Sequence, residues 1–166
     1  RKNNIYGQII KWNPNNNDHC SNLFEWSLFA MAGNPVIHNN NYAGTENIDK
    51  DNMFNSPDGL GFNKEGVLLI QTDGRYSNEG EYIGMGNNQM LCGNPITGEI
   101  KRFLVGPKEC EVTGMTWSKD NKTLFVGLQH PGERGNSHFP GGKNSVPRSS
   151  VIAISKKDGS KITFIS

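Results

Sequence analysis

The sequence lacks the features that would place the chain in a membrane, on nucleic acid or in a disulfide-rich class. No window of its 166 residues approaches the run of about 18 apolar residues that a transmembrane helix needs. Lysine and arginine number 17 against 16 acids and form no basic cluster, so we expect no nucleic-acid partner. The three cysteines, Cys20, Cys92 and Cys110, form no CxxC pair, and we expect all three to be unpaired thiols. At most one disulfide could form among them.

The composition favours short strands and many turns over helices. Apolar residues make up 34% of the chain, and it contains 20 glycines and many asparagines. The length suffices for one domain with a hydrophobic core. The opening residues, RKNNIYGQII, have a basic start but no apolar run of the kind found in signal peptides.

An internal repeat organises the chain. Residues 59–73 (GLGFNKEGVLLIQTD) and 114–128 (GMTWSKDNKTLFVGL) both run from a glycine through an aromatic position into a polar turn and an apolar stretch. Each segment predicts two strands joined by a tight hairpin. A second pair of strands follows each hairpin, at 89–92 with 100–105 and at 151–155 with 161–165.

These repeats predict an all-β chain that forms part of a β-propeller. YGQIIKW and FEWSLFAMAG predict two strands before the first repeat, and four antiparallel strands in roughly 50 residues are typical of a propeller blade. We therefore predict about two and a half four-stranded blades: half a blade in 1–33 and blades in 57–106 and 110–166. A small β-sandwich is the alternative that the strand spacing also permits.

A partial propeller leaves blade faces uncovered. We expect the remaining blades to come from the same, longer polypeptide, and the isolated fragment to self-associate. Two long polar connections, 34–56 and 130–149, interrupt the strands, and loops of that length are usually functional or disordered.

Three acids are candidate metal ligands. Asp58 in SPDG and Asp73 in QTDG are both explained as turn formers, whereas Glu111 begins a strand, two residues before the position that aligns with Asp58. On an inner propeller strand an acid points into the central channel, where a carboxylate without a cation is costly. Asp58 and Glu111 from adjacent blades would form an oxygen-rich pocket that suits Ca²⁺.

Weaker candidates surround these acids. Asn88 in GNNQM could add an amide oxygen, and Gln129 in QHPGE ends its strand where Asp73 ends the equivalent one. His130 is a candidate ligand or acid–base group, with a solvated loop histidine as the alternative. No Ser/His/Asp, P-loop or nucleophile-elbow spacing occurs, so an enzyme with this sequence is expected to use a metal.

Several motifs in fixed order resemble the C-terminal part of the PhoX-type alkaline phosphatases, the family once called DUF839. The motifs are SPDGLGFNKEGVLLIQTDG, GNNQMLCGNPITGEIKRFLVGP, CEVTGMTWSKDNKTLFVGLQHPGE and PRSSVIAIS. YGQIIKWNP and FEWSLFAMAGNP resemble the segment just upstream. The resemblance implies a propeller-like enzyme, exported by the twin-arginine route to the periplasm or cell exterior. It also implies hydrolysis of small phosphomonoesters at a cluster of ferric iron and calcium ions.

The resemblance assigns roles to individual residues. It implies that Glu111 is a metal ligand and catalytic residue, followed as metal ligands by Asp58 and Asp73 and then by Asn88 and Gln129.

Two basic residues are implied to contact phosphate. Arg148 in PRSS resembles a catalytic phosphate clamp, because a planar guanidinium binds phosphate oxygens in a bidentate way. Lys108, close before Glu111, is implied to be a second contact.

The family's iron-ligating cysteine belongs to an upstream "CEE" segment outside this chain, and Cys110 is not its equivalent. The iron site is therefore expected only in the full-length protein, and the isolated fragment is expected to be inactive. The sequence permits two other functions: a non-enzymatic, calcium-binding propeller module that binds a partner through its loops, and a lactonase-like calcium hydrolase. A "CEE" segment and a twin-arginine leader in the full-length protein would favour the phosphatase.

Overall fold

The computed structural model describes residues 1–163, and within them the chain is all-β apart from two single-turn 3₁₀ helices. The strands are β1 (Gln8–Pro14), β2 (Phe24–Met31), β3 (Pro57–Phe62), β4 (Leu68–Thr72), β5 (Gln89–Gly93), β6 (Ile100–Val105), β7 (Glu111–Trp117), β8 (Thr123–Gln129) and β9 (Ser150–Ser155). The 3₁₀ helices are Asn15–Asn17 and Gly80–Tyr82. The all-β prediction is confirmed.

The strands form three antiparallel sheets in chain order, β1-β2, β3-β4-β5-β6 and β7-β8-β9. Both predicted repeat hairpins are present, as β3-β4 and β7-β8, and both carry a register shift in the first strand. In β7 the shift lies at Gly114, whose positive φ of 53° is readily adopted by glycine. The sequence repeat is therefore also a repeat of backbone geometry.

The third sheet has three strands in the described part of the chain, against the four that were predicted. The turn after β9 forms, with the Gly159 N–H donating to the Lys156 carbonyl at 3.0 Å. Residues 161–163 pair with no strand, and Ile162 is buried against the core. The rest of the predicted strand 161–165 lies outside the described residues, so a fourth strand is not seen.

The two central strands of the middle sheet, β4 and β5, are buried along their whole length, whereas the edge strand β3 exposes Leu60 and Phe62. Successive side chains of a strand point to opposite sides, so β4 and β5 are covered on both faces. Leu68 and Ile70 pack into a core shared with the first sheet, while Leu69 packs with residues of the third, including Val112 and Leu124. Each fully buried leucine or isoleucine contributes about 1.5–3 kcal/mol. The three sheets therefore pack face to face in chain order, with β4 and β5 at the centre.

The long polar connection 34–56 is ordered by asparagine side chains. Nδ2 of Asn34 donates to the carbonyls of Glu81 at 3.1 Å and Ile83 at 2.8 Å. Nδ2 of Asn52 donates to the carbonyl of Ile100 at 2.9 Å. These amides tie the segment to the loop before β5 and to β6, so it is an ordered loop.

All three cysteines are unpaired; Cys20 is exposed, whereas Cys92 and Cys110 are buried. Burial raises the pKa of the Cys110 thiol to about 12, so the thiol stays protonated. Among residues 1–163 no helix is long and apolar enough to cross a membrane.

Candidate functional site

Two neighbouring sheets present their candidate residues at equivalent hairpin ends. Glu111, the first residue of β7, pairs with Gln129, the last residue of β8. In the middle sheet the Asp73 N–H donates to the carbonyl of Ser56 at 3.1 Å, one position beyond the Pro57–Thr72 pair. The predicted equivalence of Asp73 and Gln129 is therefore present in the structure.

Glu111 is a buried acid with no hydrogen bond to offset the cost of its burial. Only 9% of the residue is exposed, and its carboxylate accepts no hydrogen bond from any described residue. Oε2 lies 3.8 Å from Nε2 of His130, beyond hydrogen-bond distance. A buried carboxylate without hydrogen bonds is destabilising, so this position favours a cation.

His130 lies beside Glu111 with an unsatisfied nitrogen of its own. Its backbone adopts a positive φ of 39°, and its N–H donates to Oγ of Ser149 at 2.9 Å. In the described part of the chain the buried Nδ1 atom has no hydrogen-bond partner, and it lies 4.0 Å from Oε2 of Glu133. The imidazole therefore faces one carboxylate from each of its two nitrogens.

This donor set fits a metal ion in its chemistry. Carboxylates suit both calcium and iron, and an imidazole nitrogen suits iron. Within residues 1–163 no group of three or more His, Cys, Asp or Glu side chains is close enough to hold an ion. Glu111 and His130 would thus be part of a ligand set rather than the whole of one.

Three of the other predicted oxygen ligands, Asp58, Asp73 and Gln129, are exposed. Asp58, the second residue of β3, makes no hydrogen bond or ion pair with the described residues. Asp73 is exposed where it lines a cleft with Glu133, and Gln129 is exposed at the end of β8. Glu111 thus lies next to His130, and Asp73 lines the same cleft as Glu133, which faces the other nitrogen of His130. Asp58 contacts none of these residues.

Asn88 has a structural role that competes with metal binding. Its Oδ1 accepts from Oγ1 of Thr72 at 3.0 Å and from the Gly74 N–H at 2.8 Å. Its Nδ2 donates to the carbonyls of Gly74 at 3.2 Å and Cys110 at 2.9 Å. Four bonds use its full hydrogen-bonding capacity, so the contacts do not support the predicted ligand role.

The two predicted phosphate contacts are exposed residues near the same end of the third sheet. Arg148 lies two residues before β9, and its N–H donates to the carbonyl of Phe139 at 2.9 Å. The carbonyl of Lys108 accepts from the Gly132 N–H at 3.0 Å. Their backbones hold the connection 130–149 in place, and neither side chain forms an ion pair with the described residues.

Glu109 is a buried acid that sequence reasoning missed. It has a positive φ of 61°, and its carboxylate accepts from the N–H groups of Arg134 at 2.8 Å and Asn136 at 3.2 Å and from Nδ2 of Asn136. Burial alone would raise the pKa of Glu109, but these hydrogen bonds lower it overall. Glu109 thus fastens the connection 130–149 beside Glu111, and no local pattern separates it from an exposed glutamate.

The family model of the alkaline phosphatase PhoX matches residues 1–132. The chain belongs to this family. The structure of Pseudomonas fluorescens PhoX in complex with vanadate, a transition state analogue, is similar to the chain, with a TM-score of 0.93 and 57% sequence identity. The match covers 95% of this chain and 28% of that one, so the chain spans about a quarter of that protein. No curated protein matches. The resemblance inferred from the motifs is confirmed.

Proposed function

We propose that this chain is the C-terminal portion of a metal-dependent alkaline phosphatase that hydrolyses small phosphomonoesters. The observation that supports this most is the buried Glu111 carboxylate 3.8 Å from Nε2 of His130, in a PhoX-family chain. Nδ1 of the same imidazole is buried and has no hydrogen-bond partner among the described residues. A PhoX structure at 57% identity binds vanadate, a transition state analogue.

Calcium and ferric iron are the proposed cofactors. Glu111, Asp73, Asp58 and Gln129 would supply oxygen ligands and His130 a nitrogen, with further ligands from the rest of the polypeptide. When bound, such cations neutralise and polarise the phosphate oxygens. The chain's own contribution is to hold the Glu111 side chain in a buried position at the start of β7, beside His130, which orients its carboxylate for the cation.

Arg148 and Lys108 are the proposed phosphate contacts. Both are exposed near the end of the third sheet where Glu111 lies, and neither is neutralised by a described acid. A guanidinium can donate two parallel hydrogen bonds to phosphate, and an ammonium adds a point charge. Arg148 would orient the ester and offset charge on its equatorial oxygens.

The proposed architecture is a partial propeller completed by blades from elsewhere in the polypeptide. Supporting this, β4 and β5 at the centre of the middle sheet are fully buried, whereas one face of the β1–β2 hairpin is apolar and exposed. On that face Trp12, Phe24 and Trp26 are 64%, 58% and 65% exposed. The half blade 1–33, the blades 57–106 and 110–166, twin-arginine export and a periplasmic or extracellular location all remain part of this proposal.

The test is Glu111→Gln in the full-length protein, because the isolated fragment is proposed to be inactive. We expect loss of bound metal by elemental analysis and a fall of at least about 100-fold in p-nitrophenyl phosphate hydrolysis. Glu65→Gln, in the exposed β3–β4 turn, is the matched control. Unchanged metal content and rate in Glu111→Gln would contradict the proposal. A protein that binds calcium but hydrolyses no monoester would instead favour the non-enzymatic module.

A further inference from the structure

A cleft that shares only Asp73 with the predicted site residues opens between the segment that follows β4 and the connection 130–149. Its volume is about 360 Å³, within the usual range for small-molecule sites. The residues that matter for its chemistry are Asp73, Arg75, Tyr76, Glu133 and Arg134.

Two arginines line this cleft without forming an ion pair with a described acid, although Asp73 and Glu133 line it too and the charge of Arg134 helps to lower the pKa of Glu109. Neither Arg75 nor Arg134 has a carboxylate oxygen within 4.0 Å or a side-chain hydrogen bond to any residue in the described range 1–163. The guanidinium carbon of Arg134 lies over the ring of Tyr76, 5.5 Å from its centroid. Stacking orients a guanidinium while leaving its N–H fork free, an arrangement that suits an anionic ligand.

The backbones that carry both arginines are fixed by buried side chains. The Arg75 N–H donates to Oδ1 of Asn55 at 2.9 Å, and Nδ2 of Asn55 donates back to the Arg75 carbonyl at 3.2 Å. The Arg134 N–H donates to the carboxylate of Glu109. Both guanidinium groups therefore extend from pinned loops, which lowers the entropy cost of binding a ligand.

The cleft adjoins the candidate metal-binding residues. Asp73 lines it, and so does Glu133, whose Oε2 lies 4.0 Å from Nδ1 of His130. The Tyr76 hydroxyl donates to the same Glu133 oxygen at 3.3 Å. A phosphorus atom held beside Glu111 and His130 would therefore leave the rest of the ester next to this cleft.

We propose that the cleft is the leaving-group subsite of the phosphatase, and that Arg75 and Arg134 select esters whose leaving group bears its own anionic oxygens. This rests on the proposed function. The ring of Tyr76 supplies an apolar wall and the two guanidinium groups supply the charge, so a short organic group ending in a carboxylate or a second phosphate fits the chemistry.

The experiment compares two esters with the full-length, metal-loaded enzyme, 4-(carboxymethyl)phenyl phosphate and 4-methylphenyl phosphate, which differ in the remote carboxylate. We expect kcat/KM for the anionic ester to exceed that for the neutral one by about tenfold, as one charge-assisted contact can provide. The double variant Arg75→Gln, Arg134→Gln should lose this preference, because its kcat/KM should fall by about tenfold more for the anionic ester than for the neutral one. Raising the salt concentration should reduce the preference in the wild type.

Two further variants make the result specific. Arg134→Lys keeps the charge without the planar fork and should retain part of the preference. Lys122→Gln, an exposed cation in the β7–β8 turn, should retain all of it. An equal loss on both esters would place the arginines on the transferred phosphate and overturn the subsite. A preference that survives the double variant, or is absent in the wild type, would also overturn it. Hydrolysis of neither ester would overturn the proposed function itself.

Discussion

Nε2 of His130 lies 3.8 Å from Oε2 of Glu111, where β8 runs into the connection 130–149. Neither atom is within hydrogen-bond distance of the other, and Glu111 is buried. A carboxylate and an imidazole at this spacing can both turn toward one cation. A shared cation would therefore account for two unsatisfied side chains that lie next to each other at one end of the third sheet.

Replacing His130 should lower iron binding without lowering calcium binding. In the full-length protein we expect His130→Gln to lower bound iron by about 10-fold or more while calcium is retained, because an imidazole nitrogen suits iron and calcium prefers oxygen. Elemental analysis measures both metals, and His19→Gln, at an exposed turn, is the control. Iron retained at the wild-type level in His130→Gln would remove His130 from the ligand set.

Asn88→Asp distinguishes a loop tether from a metal ligand. A carboxylate would be a better ligand than an amide, but it cannot donate to the carbonyls of Gly74 and Cys110. We therefore expect Asn88→Asp to destabilise the protein by about 2 kcal/mol or more, measured by thermal unfolding, without a gain in calcium affinity. Asn39→Asp, which changes an exposed loop asparagine, should do neither. A tighter calcium site with unchanged stability would restore the ligand role.

Glu109 should make the attachment of the connection 130–149 depend on pH. Hydrogen bonds lower its pKa in the folded state, so its contribution to stability is complete above the ordinary glutamate pKa of about 4.3. The contribution is lost as the pH falls through the lower folded value. We expect the protection of the Arg134 and Asn136 amides against hydrogen exchange to persist at about pH 6 and to decline below about pH 4.

Glu109→Gln should reduce that protection at about pH 6 and flatten its pH dependence, because a neutral amide cannot accept the same charge-assisted bonds. Glu65→Gln is the control, since Glu65 is exposed in the β3–β4 turn. Equal protection of the two amides in Glu109→Gln and the wild type would show that other contacts hold the loop.

The isolated chain should self-associate through the apolar face of the β1–β2 hairpin. Trp12 and Trp26 are paired across the two strands and largely exposed, a pattern that marks an interface. We expect concentration-dependent oligomers by light scattering and a marked decrease in the double variant Trp12→Ser, Trp26→Ser. Ile96→Ser removes an apolar residue that is more exposed still, at 94%, from a turn outside this face and should change nothing. A monomeric wild-type chain at high concentration would contradict this.

Local rules account for the features that could be predicted. The β3–β4 and β7–β8 hairpins follow from a polar turn between two apolar runs, and the turn and the runs are all short-range signals. Residues 161–163 of the fourth strand predicted at 161–165 pair with no strand, and Ile162 packs into the core, while the rest of that prediction lies outside the described residues. The site was predictable in part. The repeat placed Glu111 at the start of a strand and predicted that Asp73 and Gln129 occupy equivalent positions, but it did not predict which side chains contact them.

The sequence by itself determined the all-β class, the hairpin repeat and the family, because these rest on local turn chemistry, alternation and motifs that stand in order along the chain. Only the tertiary structure decided what each polar side chain contacts. The Glu109 carboxylate finds its partners 25 and 27 residues away, and Asn88 reaches the Cys110 carbonyl 22 residues away. Such contacts depend on the path of long loops, which turn propensity does not specify. They distinguish Glu111, a buried acid that favours a cation, from Glu109, a buried acid that holds a loop in place.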